Sequence, residues 1–156
     1  MESIIQPIIF IRSIRHIYIL VALVAVTLSS PARATCQRGC NLINSDTFLG
    51  DDVLANDSNG YGNTGVGSGS LSTNDYGYAN TAIGFAALIA NGTGYNNTAS
   101  GYYSLASNTT GLDNTGDGWQ ALILNTTGGN NTAIGAAALE YNSTGFANLA
   151  NGAFSL

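Results

Sequence analysis

From Ile43 to Leu156 the chain repeats every 17 residues without insertion or deletion, and this period constrains the fold more than any other feature. The copies begin at Ile43, Gly60, Gly77, Gly94, Gly111, Gly128 and Gly145, and the last stops after its twelfth residue. A helical solenoid needs a helix pair of about 33 residues per repeat, and Asn, Gly and Thr are poor helix interiors. Seventeen residues suffice for one coil of two or three short strands joined by tight turns. The expected fold class is therefore all-β: a parallel β-solenoid, or β-roll, with 17-residue coils. Like residues would stack about 4.8 Å apart, giving a rod roughly 30 Å long. One coil cannot bury its apolar residues alone, so stability should be cooperative along the stack.

Reading down the columns turns the period into structure. Column twelve is leucine in every copy: Leu54, Leu71, Leu88, Leu105, Leu122, Leu139 and Leu156. It is the one column that is large and apolar throughout, and it should form the core ladder. Column eight is glycine in every copy: Gly50, Gly67, Gly84, Gly101, Gly118, Gly135 and Gly152. An unbroken glycine column marks a bend that needs positive φ or close backbone approach. Columns six and eleven are nearly all Ala, Gly or Ser, as expected where the walls of a narrow coil face each other. The N-T-A-I-G segment reads as one strand and the Ala-Leu pair as a second, with Asn and Thr hydrogen-bonded along the stack.

Other columns suggest surface. Column seven runs Leu49, Val66, Ile83, Ser100, Asp117, Ile134 and Asn151. A sealed core would not hold Asp117 without a partner, so this column faces solvent or another subunit. Tyr61, Tyr78, Tyr95 and Phe146 share column two, while Phe85, Tyr102 and Trp119 share column nine. Such rings either stack over the turns or form a ligand-binding stripe. Thr64, Thr81, Thr98, Thr115 and Thr132 form a regular rank that could serve as a binding ladder. Asn91, Asn108, Asn125 and Asn142 each begin an N-x-[ST] sequon. They are either simple ladder residues or, in a host with N-glycosylation, a glycan-decorated edge.

The residues before the repeat read differently. Arg12, Arg15 and His16 give a basic flank, Ile17 to Leu28 an apolar core, and Ala32-Arg33-Ala34 a small-residue cleavage site. Residues 1–34 are expected to be a signal peptide, since a spanning helix wants about 20 apolar residues. That implies a secreted or cell-surface protein with no membrane contact after cleavage. Residues 35–42 carry the only cysteines, Cys36 and Cys40, and export makes a disulfide their expected state. Residues 43–156 form the solenoid domain.

Composition then excludes chemistry. Of four basic and nine acidic residues, Arg12, Arg15, Arg33 and Glu2 fall in the leader. The chain beyond the leader has Arg38 against eight acids, a net charge of −7, and neither Lys nor His. Such a chain cannot neutralise phosphates, so nucleic acid is excluded as a partner. It also lacks the usual proton shuttle and transition-metal ligand. Asp51, Asp52, Asp57, Asp75, Asp113 and Asp117 could pair as catalytic acids or, for the first three, hold calcium only loosely. A narrow rod without insertions offers no cleft for two facing carboxylates. No enzyme activity, cofactor or metal is expected.

The unit N-T-A-I-G-x-x-A-L, seen at Asn80 to Leu88 and Asn131 to Leu139, resembles the head repeats of YadA-like trimeric autotransporter adhesins and of phage tail-fibre-like proteins. The resemblance covers Ile43 to Leu156 and implies a β-roll, commonly trimeric, displayed to bind host or matrix. The sequence departs from those families in having no amphipathic anchor strands, coiled-coil stalk or chaperone-like C-terminal domain. It is read as a free-standing solenoid or a piece of a longer fibre, and its end on Leu156 as an open edge for stacking. The expected function is a secreted structural or adhesin-like surface protein, a homo-oligomer or fibre subunit with a glycan, matrix or host-surface ligand. The alternative is an ice-binding (antifreeze) β-solenoid using its Thr and Asn ladders.

Overall fold

The computed structural model describes residues 44–156. The leader (1–34) and the segment with Cys36 and Cys40 lie outside the described residues.

Each coil contributes one three-residue strand: β1 Thr47–Leu49, β2 Thr64–Val66, β3 Thr81–Ile83, β4 Thr98–Ser100, β5 Thr115–Asp117, β6 Thr132–Ile134 and β7 Leu149–Asn151. They form one seven-stranded sheet in sequence order, every pair parallel. The register is the sequence period itself, Thr64 beside Thr81 beside Thr98. The chain is thus a parallel β-solenoid, with no helix among the described residues.

Strand side chains alternate, so the middle residue of each triad points inward and its neighbours outward. The inward residues are small: Ala82, Ala99 and Ala133 are fully buried. Gly65 and Gly116 stand where the opposite wall is larger. A Cβ on Gly65 would lie 2.5 Å from the Val53 side chain, and one on Gly116 would lie 2.6 Å from the Ser104 hydroxyl. Columns six and eleven are therefore the facing walls of the coil. Between them stack Leu71, Leu88, Leu105 and Leu122, all at 0% exposure, with Leu139 nearly so. Leu54 is partly buried against this cluster and Leu156 is exposed on the last coil.

The Ala-Leu pair is not a second strand. Leu54, Leu71, Leu88, Leu105, Leu122 and Leu139 all have φ between 49° and 53°, a left-handed conformation rare for a bulky residue. The stack holds them there. The Leu88 amide donates to Ser104 O in the next coil at 3.0 Å, and Leu88 O accepts the Asn91 amide at 3.2 Å, closing a turn. Left-handed residues two apart, such as Ala86 (φ 54°) and Leu88 (φ 51°), turn the backbone, and the leucine side chain joins the core. Sequence preference assigns Leu to a strand or helix; the strain of about 1–3 kcal/mol persists because neighbouring coils over-determine it.

Column eight behaves as a bend. Gly84 has φ +132°, and a Cβ there would lie 2.5 Å from Gly101 O. Both demands, positive φ and close approach, admit only glycine.

Two ladders of asparagine complete the interior. Asn63, Asn80, Asn97, Asn114 and Asn131 form one, and Asn74, Asn91, Asn108 and Asn125 the other, all with 0% exposure. In the second ladder each amide donates to the carbonyl oxygen of the preceding copy, as Asn91 Nδ2 does to Asn74 Oδ1 at 2.7 Å and Asn108 Nδ2 to Asn91 Oδ1 at 2.8 Å. Both ladders also converge on the first-column glycine carbonyls. Gly94 O accepts Asn80 Nδ2 and Asn91 Nδ2, each at 2.9 Å. Gly111 O accepts Asn97 Nδ2 at 2.8 Å and Asn108 Nδ2 at 3.1 Å.

Candidate functional site

With leucine, alanine and asparagine turned inward, the surfaces left for recognition include the outer face of the sheet, the aromatic ranks and the acidic first coil.

The outer face carries two ranks. Thr64, Thr81, Thr115 and Thr132 are half-buried and Thr98 is exposed. The threonine hydroxyls bonded within the described chain belong to other columns: Thr73, Thr109 and Thr126, each donating to a carbonyl of the next coil. The hydroxyls of the Thr64-to-Thr132 rank are thus left for solvent or a ligand, at strand spacing. Beside it runs column seven. Leu49, Ile83 and Ile134 are 62%, 48% and 41% exposed, Val66 and Ser100 are half-buried, and Asp117 and Asn151 are exposed. The column that breaks the apolar pattern therefore lies outside, where Asp117 stays hydrated.

The aromatic ranks stack along the rod. Tyr61 and Tyr78 have ring centroids 5.1 Å apart, Tyr78 and Tyr95 4.7 Å, each pair within 4° of parallel. Burial between its neighbours holds the Tyr78 phenol above its ordinary pKa, helped by Tyr95, Tyr61 and Asp113. Phe85 stacks on Tyr102 at 5.4 Å. Faces are spent on each other, so these ranks offer ring edges rather than a platform on which a sugar could lie. Phe146 stands apart from the tyrosine stack, its ring 3.0 Å from where a Cβ on Gly129 would be. Trp119 is half-exposed beyond Tyr102.

Of the two readings of Asn91, Asn108, Asn125 and Asn142, the structure has the arrangement of ladder residues. The first three are fully buried and Asn142 is half-buried. Each Nδ2, the atom a glycan would occupy, donates to the ladder and to a glycine carbonyl. An oligosaccharyl group cannot be accommodated there in the folded chain.

Asp51, Asp52, Asp75, Asp113 and Asp117 are exposed. Among the described residues no three His, Cys, Asp or Glu side chains gather as a metal site. Asp57 differs: it is half-buried and turned toward Asp46. Sequence reasoning missed this pair. Its signal was that both Asn columns, four and fifteen, become Asp in the first coil and nowhere else.

No protein-family model matches the chain, and neither a curated protein nor a solved structure does. The likeness to adhesin head repeats rests on the residues of the repeat unit alone.

Proposed function

We propose that the chain is a secreted structural or adhesin-like surface protein that works by non-catalytic, multivalent display and associates with further copies through the outer face of its sheet. The observation that carries this reading is the exposed rank of Leu49, Ile83 and Ile134, held in register by the strand pairing. Leu49, Val66 and Ile83 lie side by side and lose water when another such face covers them, while Asp117 beside Ile134 must keep its water or gain a donor across the contact. The leader-like residues 1–34 support export, and the absence of Lys and His from the repeat agrees with a role without acid–base chemistry.

The size of the face sets what else must take part. Three residues at about 3.3 Å and six strand spacings at about 4.8 Å give roughly 300 Å². A stable interface needs about 800 Å² from each partner. Lasting association must therefore recruit the neighbouring rank of Phe85, Tyr102 and Trp119, across the glycine bend. Sedimentation of the purified protein tests this: oligomers that weaken in Trp119→Ala support it, and a strict monomer that binds no cell, glycan or matrix surface opposes it.

A second reading is favoured by the threonine rank. Open hydroxyls and methyls repeating about every 4.8 Å suit ice binding. Thermal hysteresis that Thr98→Tyr removes without lowering the melting temperature would establish it in place of self-association; no hysteresis and no ice-crystal shaping would dismiss it.

A further inference from the structure

In each coil from the second to the sixth, two asparagine amides point at one glycine carbonyl. Asn63 Nδ2 and Asn74 Nδ2 both donate to Gly77 O at 2.9 Å, and the pattern repeats at Gly94, Gly111 and Gly128. In the first coil the corresponding side chains are Asp46 and Asp57, and the corresponding carbonyl is that of Gly60.

The acceptor halves of the two aspartates act as asparagine would. Asp46 Oδ1 accepts the Asn63 amide at 2.7 Å, and Asp57 Oδ1 accepts the Gly60 amide at 2.9 Å and Asn74 Nδ2 at 3.3 Å. By the register of the coils the other oxygens stand where later coils carry a donating Nδ2, and a carboxylate oxygen has no hydrogen to give the Gly60 carbonyl. Asp46 Oδ2 is the one buried side-chain polar atom without a partner among the described residues. The two carboxyls are within hydrogen-bonding reach of each other.

We propose that Asp46 and Asp57 share one proton, and that this acid–carboxylate hydrogen bond locks the first coil to the second in acid and releases it toward neutral pH. The proton supplies the donor that the ladder register requires. When it leaves, two carboxylates and a carbonyl face one another and the first coil loosens. Burial first, then the Asp46 charge, raises the Asp57 pKa from its ordinary 3.8 to about 6. A folded-state pKa above the unfolded value means stabilisation fully present below 3.8 and lost as pH rises through about 6. Asp46 is the charged group acting on Asp57; no Lys, Arg or His lies in residues 44–156 to compensate it.

The test follows the carboxyl carbons of Asp46 and Asp57 by NMR from about pH 3 to 8, a window spanning both ends of the titration. It also follows exchange of the Leu54, Asn56 and Asn59 amides, which bond the first coil to Ser70, Ser72 and Asp75. Titration of Asp57 near 6 is expected, with protection of these amides, corrected for intrinsic rate, falling about 10- to 100-fold between pH 4 and 7.5. Asp46→Asn with Asp57→Asn should fold, because Asn holds both places in later coils, and should abolish the fall. Asp51→Asn with Asp52→Asn makes the same charge change on exposed residues and should keep it. Titration near 3.8, a fall that survives the first double variant, or one that the second removes equally would overturn the proposal. So would restoration of protection at neutral pH by Ca²⁺, which would make a cation the group that fills the triangle.

Discussion

Replacing Asn97 measures what the buried ladders contribute. Asn97 Nδ2 donates to Asn80 Oδ1 at 3.1 Å and Gly111 O at 2.8 Å, while its Oδ1 accepts the Asn114 amide at 3.1 Å and Asn114 Nδ2 at 3.2 Å. In Asn97→Ala most partners keep a second bond: Gly111 O retains Asn108, Asn114 Nδ2 retains Gly128 O, and Asn80 Oδ1 retains the Asn97 amide. The Asn114 amide, donating to Asn97 Oδ1, is the group stranded. One orphaned buried donor costs about 1–3 kcal/mol, and each lost side-chain bond about 1 kcal/mol more. With three such bonds lost besides the stranded amide, the expected loss is about 4–6 kcal/mol by urea denaturation, unaffected by pH. Asn97→Asp keeps the acceptor and replaces the donor with a second oxygen aimed at Gly111 O. Its loss should be larger at neutral pH and shrink in acid, where protonation restores the donor, by up to about 1.4 kcal/mol per pH unit. A loss below about 1 kcal/mol in the alanine variant, or an aspartate variant indifferent to pH, would refute the ladder as described.

Three further substitutions probe the coil. Gly84→Ala would place a Cβ 2.5 Å from Gly101 O at φ +132°, and should prevent coils three and four from stacking, seen as loss of the cooperative melt. Gly62→Ala has φ +65° but no atom within 4 Å, and should cost only the conformational strain, about 1–2 kcal/mol. Leu88→Asp, or equally Leu105→Asp, buries an unpaired charge at a site of zero exposure and should abolish cooperative unfolding at neutral pH; an unchanged melting curve would rule out the leucine ladder.

Much of the fold is legible in the sequence because a solenoid writes its register as its period. Thr64 pairs with Thr81 for the same reason that they are 17 residues apart. The glycines of column eight and the leucines of column twelve are visible as columns in the residues alone. Two features are not. Leucine gives no sign of a left-handed φ, since the stack imposes that conformation and residue preference opposes it. The inward turn of Asn91 and its column is hidden because an isolated asparagine belongs on a surface; only stacking supplies each amide with a donor and an acceptor from its own copies. The Asp46–Asp57 pair was readable in principle, as the one coil where both columns change together, but its meaning required knowing that the columns converge on a single carbonyl.

If, as proposed, the outer face of the sheet meets another copy of itself, that contact sets the oligomeric state. Analytical ultracentrifugation of the purified chain, beside a variant carrying Ile83→Asp and Ile134→Asp, tests it most directly. Both residues lie on the solvent side of their strands, so the variant should still fold and melt cooperatively, at the lower temperature expected of an unassociated chain. Self-association predicts a dimer or larger assembly for the parent at micromolar concentration and a monomer for the variant. A monomeric parent, or a variant that assembles as the parent does, would contradict it.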